Sequence, residues 1–88
     1  MLAEVELIQD KKAKAADYLL MAFHPMGTCR MGVHRKQSVV DANLESHDLR
    51  NLFITDASVF PTSLGVNPQE TICALATRCA EYIAERVL

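Results

Sequence analysis

One helical period is sustained in this chain, and it runs from residue 69 to the C-terminal end. Ile72, Leu75, Ala76, Cys79, Ile83 and Val87 fall on one apolar stripe, while Glu81 and Glu85 fall off it. Its start is marked three times. Asn67 is a favoured N-cap residue, Pro68 suits the first helical position, and Glu70 follows the cap by three, as in a capping box. A chain of 88 residues has room for one small domain at most. At that size only about 60% of the unfolded surface is buried, so a free-standing fold is marginal.

The remainder divides by texture. Residues 1–17 read as a helical lead-in: Leu2, Val5, Leu7 and Ile8 recur at helical spacing, and Lys11, Lys12 and Lys14 load the later turns, where cations suit the helix dipole. Tyr18-Leu19-Leu20-Met21-Ala22-Phe23 is a dense apolar run that fits a strand or the end of that helix. His24-Pro25 favours the strand, because residues before proline prefer extended backbone. Residues 24 to 68 are crowded with polar punctuation. Within them Ser38–Leu44 reads as a short strand, and Leu52-Phe53-Ile54-Thr55 as the clearest strand of the chain. Asp56 follows it, at the carboxyl end of an expected buried strand, where open α/β sheets place ligand contacts.

Composition excludes several function classes. Half of the residues are apolar and 23% are charged, which is globular and neither disordered nor low-complexity. The net charge is −2, from 9 basic and 11 acidic residues. No basic stripe is available for a phosphate backbone, so nucleic-acid binding is not expected. The uncharged stretch from Val59 to Gln69 is interrupted by Pro61, Gly65 and Pro68, so no membrane span is expected. Cys29, Cys73 and Cys79 are odd in number and form no C-x-x-C pair, which favours free thiols in a reducing compartment. Met1-Leu2-Ala3-Glu4 lacks the basic, apolar pattern of a signal peptide, and a cytoplasmic location is the expectation.

Two polar residues invite a chemical reading. His24 opens the loop His24-Pro25-Met26-Gly27-Thr28-Cys29-Arg30-Met31-Gly32. An imidazole there is either a proton acceptor near neutral pH or a side chain satisfied by its scaffold. Asn67 either caps its helix or helps that helix end hold an anion. His24, Cys29 and His34 form H-x4-C-x4-H, looser than usual zinc spacings, and His34 adjoins Arg35 and Lys36, so no metal site is assigned. His47 reads as a solvated turn histidine and Arg30 as a salt-bridge partner. Asp41 reads as a turn residue or a ribose ligand. Met21, Met26 and Met31 read as gap-fillers.

Four segments taken together resemble the C-terminal part of the glucose–methanol–choline (GMC) oxidoreductases, the FAD-dependent alcohol oxidases and dehydrogenases. They are the His24–Gly32 loop, Val39-Val40-Asp41-Ala42-Asn43-Leu44, the run Asn51–Pro61, and Gly65-Val66-Asn67-Pro68-Gln69-Glu70-Thr71-Ile72. The resemblance covers residues 18–88 in the family's order. It implies that His24 and Asn67 are the catalytic pair. His24 takes the hydroxyl proton of an alcohol, Asn67 helps hold the substrate oxygen, and the carbon-bound hydrogen leaves as hydride to flavin N5. It further implies that Asp56, Ala57, Asn67 and Pro68 contact FAD, with the helix end beside the charge that reduced flavin gathers.

The implied fold class is an α+β fragment: short strands and a long C-terminal helix that, in the parent enzyme, complete an FAD-binding α/β domain and part of the substrate-domain sheet. Gly27, Gly32 and Gly65 form no G-x-G-x-x-G turn. The implied partner is therefore an N-terminal portion carrying that turn, in the same chain or a separate one. Alone, the segment is expected to be inactive and to bind FAD weakly. Homo-oligomerisation and the identity of the alcohol, from choline-like to aliphatic, stay open. The alternative reading is a non-catalytic binding or assembly module derived from the family, marked by an exposed apolar face on residues 72–87.

Overall fold

The computed structural model describes residues 12–87. Its one long element is the α-helix Gln69–Val87, here α1. The stripe behaves as its period predicts. Cys79 is buried, Ile72, Leu75, Ala76 and Ile83 are half-buried, and Glu81 and Glu85 face solvent. Tyr82 joins the buried side, its ring edge-on to Phe53 with centroids 6.2 Å apart. The capping box does not form. The Ile72 N–H donates to the Pro68 carbonyl at 2.9 Å, so α1 begins one residue later than the box requires. That shift is within the usual uncertainty of a helix end.

The core over which α1 lies comes from irregular chain: Val40, Leu44, Ala57, Val59 and Phe60 are buried together with Cys79. Met26, Met31, Phe53 and Ile54 pack against this cluster. The chain reaches it in short extended passes cross-linked by backbone bonds: Gly32 N–H to the Val40 carbonyl at 2.9 Å, His47 to Val39 at 3.0 Å, Ser46 to Leu52 at 2.8 Å and Ile54 to Leu44 at 3.0 Å. The described residues contain isolated bridges rather than strands: Met31 with Val40 in parallel, and Val40 with Ser46 and Glu45 with Phe53 in antiparallel sense.

Both strand expectations inside the loop region thus shrink to single residues, Val40 of Ser38–Leu44 and Phe53 of Leu52–Thr55. The cause is reversal of the chain every few residues, with Leu44 and Asn51 both at positive φ, which prevents neighbouring pairs from extending a ladder. Among the described residues Tyr18–Phe23 forms no bridge. Leu19, Leu20 and Phe23 are 83%, 88% and 79% exposed, because no described segment runs alongside to supply the missing ladder. Of the helical lead-in, the described part holds a single 3₁₀ turn, Ala15–Asp17, where the Lys14 N–H donates to the Asp17 carboxylate at 2.7 Å. Leu2, Val5, Leu7, Ile8 and Lys11, like the side chain of Val87, lie outside the described residues. Among the described residues no helix is long and apolar enough to cross a membrane.

The turn from Asp41 to Glu45 fastens α1. The Asp41 carboxylate accepts from the Asn43 and Glu45 N–H groups at 2.8 and 3.2 Å, which is the turn role rather than the ribose role. Leu44 is fully buried with φ of 67°, a conformation costing a non-glycine residue on the order of 1 kcal/mol. From the helix, Arg78 donates to the Ala42 carbonyl at 2.6 Å and the Cys79 thiol to the Asn43 carbonyl at 3.6 Å. Burial pushes the Cys79 thiol pKa up.

Arg86 closes the fastening with a 2.6 Å ion pair to Glu45. The Asn51 N–H, and after it the Arg86 guanidinium, hold the Glu45 carboxyl below its ordinary 4.5. A carboxyl depressed in the folded state stabilises above its unfolded pKa and loses that contribution as pH falls through the folded value. Arg86→Met is therefore expected to lower the urea midpoint by a constant amount at neutral pH. The gap to the wild type should narrow as pH falls below 4.5. Urea unfolding of both proteins across pH 7 to 3 measures it.

Candidate functional site

The loop that opens with His24 is laced to the second 3₁₀ turn, Ala57–Val59. Cys29 N–H donates to the Ser58 carbonyl at 2.9 Å and Met31 N–H to the Val59 carbonyl at 2.8 Å. Gly27 makes the approach with φ of 90°, a conformation open to glycine and strained for other residues. The loop's far end is pinned by His47. Its Nε2 lies 2.9 Å from the Gly32 carbonyl, which can only accept, so Nε2 carries the proton. The same N–H reaches Ser38 Oγ at 3.0 Å, and that hydroxyl donates to the His34 carbonyl at 2.6 Å. A Cβ on Gly32 would stand 2.9 Å from the Ser38 Cβ, so this approach needs glycine.

His47 is therefore a half-buried structural pin and not a solvated turn residue. Nor does Arg30 make a salt bridge among the described residues; its Nε donates to the Gln37 carbonyl at 2.7 Å. Both partners are set by loop geometry that no local pattern encodes. Among the described residues no three His, Cys, Asp or Glu side chains converge as a metal site would require, and His24, Cys29 and His34 stay apart. Cys29, Cys73 and Cys79 are free thiols.

So held, half-buried His24 stands between two clefts. One, of about 250 Å³, joins it to Asn67, with Phe23, Met26 and Val66 on its walls. The other, of about 370 Å³, joins it to Asp56, Ala57 and Thr28. Among the described residues neither the imidazole of His24 nor the carboxamide of Asn67 makes a hydrogen bond. The described scaffold does not satisfy His24, and Asn67 does not cap α1. A third cleft, of about 720 Å³, lies at the start of α1 and is lined by Asn67, buried Pro68, Gln69, Glu70 and Thr71. The N–H groups of residues 69 to 71 have no acceptor within the helix and point along its positive end.

Asp56 occupies the expected neighbourhood for a different reason from the one its sequence position suggests. No buried strand leads to it, since Leu52 is 45% exposed. Instead its carboxylate caps the 3₁₀ turn, accepting from the Ser58 N–H at 3.0 Å and from the Ser58 hydroxyl. Those two bonds, the hydroxyl's above all, hold its pKa below the ordinary 3.8. Ala57, directly after it, is buried. Phe23 and Val66 are cleft residues that motif reading passed over, although each is the apolar neighbour of a polar site residue.

The family model of the GMC oxidoreductases, in its C-terminal part, matches residues 4–76. The chain belongs to the GMC oxidoreductase family. It is 47% identical over 53 residues to a long-chain-alcohol oxidase of Arabidopsis thaliana, covering 60% of this chain and 7% of that protein. It is 45% identical over 64 residues to the 2-methyl-1,2-propanediol dehydrogenase of Mycolicibacterium austroafricanum, covering 73% of this chain and 12% of that one. An uncharacterized GMC-type oxidoreductase of Sinorhizobium fredii is 42% identical over 78 residues, covering 89% and 15%. The chain thus spans between 7% and 15% of the length of these GMC relatives. No solved structure matches it significantly.

Asp56→Ala removes the cap of the 3₁₀ turn on which the His24 loop leans. The expected loss is about 1 kcal/mol of stability, the usual cost of an N-cap deletion. Thermal or urea unfolding measures it, and Asp56→Asn, which keeps an acceptor oxygen, should recover most of the loss.

Proposed function

We propose that this GMC segment supplies the catalytic pair and one rim of the cofactor site of an FAD-dependent alcohol oxidoreductase. His24 is the base and Asn67 the holder of the substrate oxygen. The observation that supports this reading is that the two side chains share one cleft while neither is engaged by another described residue. The relatives' names, an alcohol oxidase and a diol dehydrogenase among them, support the reaction class.

The residues present fit part of the cofactor. The Asp56 carboxylate, kept ionised by Ser58, is an acceptor suited to the hydroxyls of a ribityl chain and unsuited to phosphates. Small, buried Ala57 beside it permits close approach. The N-terminus of α1 at Asn67 and Pro68 offers N–H groups and a positive dipole end to negative charge. No Gly-rich phosphate turn is present in this chain, so the pyrophosphate is held by the remainder of the enzyme. FAD, when bound, supplies the oxidant that takes the carbon-bound hydrogen as hydride.

The chain's own part is to bind, orient and move one proton. The Asn67 carboxamide donates to the alcohol oxygen and fixes it beside the imidazole. His24 accepts the hydroxyl proton as alkoxide character develops, the part of a positioned general base. Exposed Leu19, Leu20 and Phe23 fit the same reading, since the remainder of such an enzyme would cover them. A bare assembly module would leave the stripe of residues 72–87 open. Cys79 is instead buried, and Ile72, Leu75 and Ile83 pack on the core.

In the complete flavoenzyme carrying this segment, His24→Ala is expected to lower kcat by about 10²-fold or more, the lower range for loss of a general base. Flavin content, read from the visible spectrum after gel filtration, should stay at the wild-type level. Unchanged turnover would remove the assignment.

A further inference from the structure

We propose that His47 is a positioning residue for the His24 loop: its Nε2–H, donated to the Gly32 carbonyl, sets where the His24 imidazole stands. The inference rests on the function proposed above and adds to it a residue that lines neither of the His24 clefts. Three passes of chain lie side by side here. Met31 bridges Val40, and Val40 bridges Ser46. The backbone N–H of His47 donates to the Val39 carbonyl of the middle pass at 3.0 Å. Its ring reaches beyond that pass to the end of the loop, where Nε2 lies 2.9 Å from the Gly32 carbonyl and 3.0 Å from Ser38 Oγ. One half-buried residue thus ties all three passes.

The His24 end of the loop inherits its placement from these ties. Among the described residues no backbone hydrogen bond holds residues 24–28. The anchors follow at Cys29 and Met31, whose N–H groups donate to Ser58 and Val59, at the Arg30 carbonyl, which accepts from Val39 N–H, and at Gly32. Both backbone groups of Gly32 are engaged, the N–H by the Val40 carbonyl and the carbonyl by His47. Of the bonds donated to the loop from outside, the one from His47 is made by a side chain, so a substitution can remove it. The half-buried carbonyl is then left without its donor, a cost that the loop relieves by shifting toward water. A shift of about 1 Å at a reacting group can cost about 10²-fold in rate. Nε2 keeps its proton in the neutral tautomer that the carbonyl selects and in the imidazolium alike, so protonating the ring does not break the tie.

The test uses two amides of different reach. A glutamine at this position places its amide nitrogen where imidazole Nε2 stands, whereas an asparagine places it where Nδ1 stands and falls short of Gly32. In the complete flavoenzyme, flavin reduction is followed anaerobically by stopped flow, per bound flavin. The substrate is whichever of decan-1-ol, 2-methyl-1,2-propanediol and choline the wild type oxidises fastest. His47→Asn is expected to slow reduction at least about tenfold, and His47→Gln to recover most of that loss. Amide hydrogen exchange over residues 29–32, read by mass spectrometry, should quicken in His47→Asn and stay near the wild-type rate in His47→Gln. A wild-type rate per bound flavin in His47→Asn overturns the proposal, even where stability or flavin content falls, because the residue is then only structural. Equal slowing in both variants, or unchanged exchange in His47→Asn, overturns it as well. If His47→Asn does not retain flavin, Gly32→Ala is measured instead, since its Cβ, 2.9 Å from the Ser38 Cβ, displaces the same carbonyl; an unchanged rate there overturns the proposal. If His24→Ala slows reduction while His47→Asn does not, the positioning role falls and the catalytic reading stands. If His24→Ala leaves the rate intact, both fall.

Discussion

The grip of α1 on the Asp41–Glu45 turn is the interaction on which the rest depends. That turn carries Leu44, whose fully buried side chain requires a left-handed backbone that leucine adopts at a cost. The cost is offset by an unusual concentration of bonds on one reversal. Asp41 ties the turn from inside, and Arg78, Cys79 and Arg86 hold it from the helix. Val40 and Leu44 are fully buried in the cluster that Cys79 of α1 joins, so loosening the turn opens that cluster beside the helix. Asn67 adjoins the first residues of that helix, and His24 adjoins a loop bonded to Ser58, Val59 and Val40. The spacing of the two site residues is thereby referred to the same small core.

What could be read in advance follows a physical divide. The helix was legible because its determinants are local: a period of 3.6, a proline at the entry, acids off the stripe. The Asp41 turn was legible for the same reason, since an Asx side chain bonds two residues ahead. Strands were not legible. The β-branched and aromatic residues of Leu52–Thr55 and the apolar run Tyr18–Phe23 do favour extended backbone, but a ladder needs a second pass in register, and that is a non-local fact. His47 makes the point in miniature. Its partners, Gly32 and Ser38, are brought to it by the geometry of an irregular loop, and nothing in Glu45-Ser46-His47-Asp48 announces them.

The candidate pair was named through resemblance and not through spacing. His24 and Asn67 belong to different segments, and residue types alone left each poised between a structural and a chemical role. Family order carried them to the page together, and the fold then brings both to one cleft. Phe23 and Val66 stayed hidden because an apolar residue beside a polar one is unremarkable in a sequence. They become informative only when their exposure is known.

The contrast between engaged and unengaged polar groups is the strongest physical support for the proposed site. Around the loop core, Asp41, His47, Asp56 and Arg78 each have a bonding partner that explains their presence structurally. His24 and Asn67 have none among the described residues, although His24 is half withdrawn from water. A polar group held partly out of solvent without a partner costs free energy, and a fold that satisfies the neighbouring groups so fully departs from the rule where a ligand is to complete it. His24 also divides that ligand space by charge. On one side lies a carboxylate fixed by Ser58, and on the other the described wall residues carry no charge.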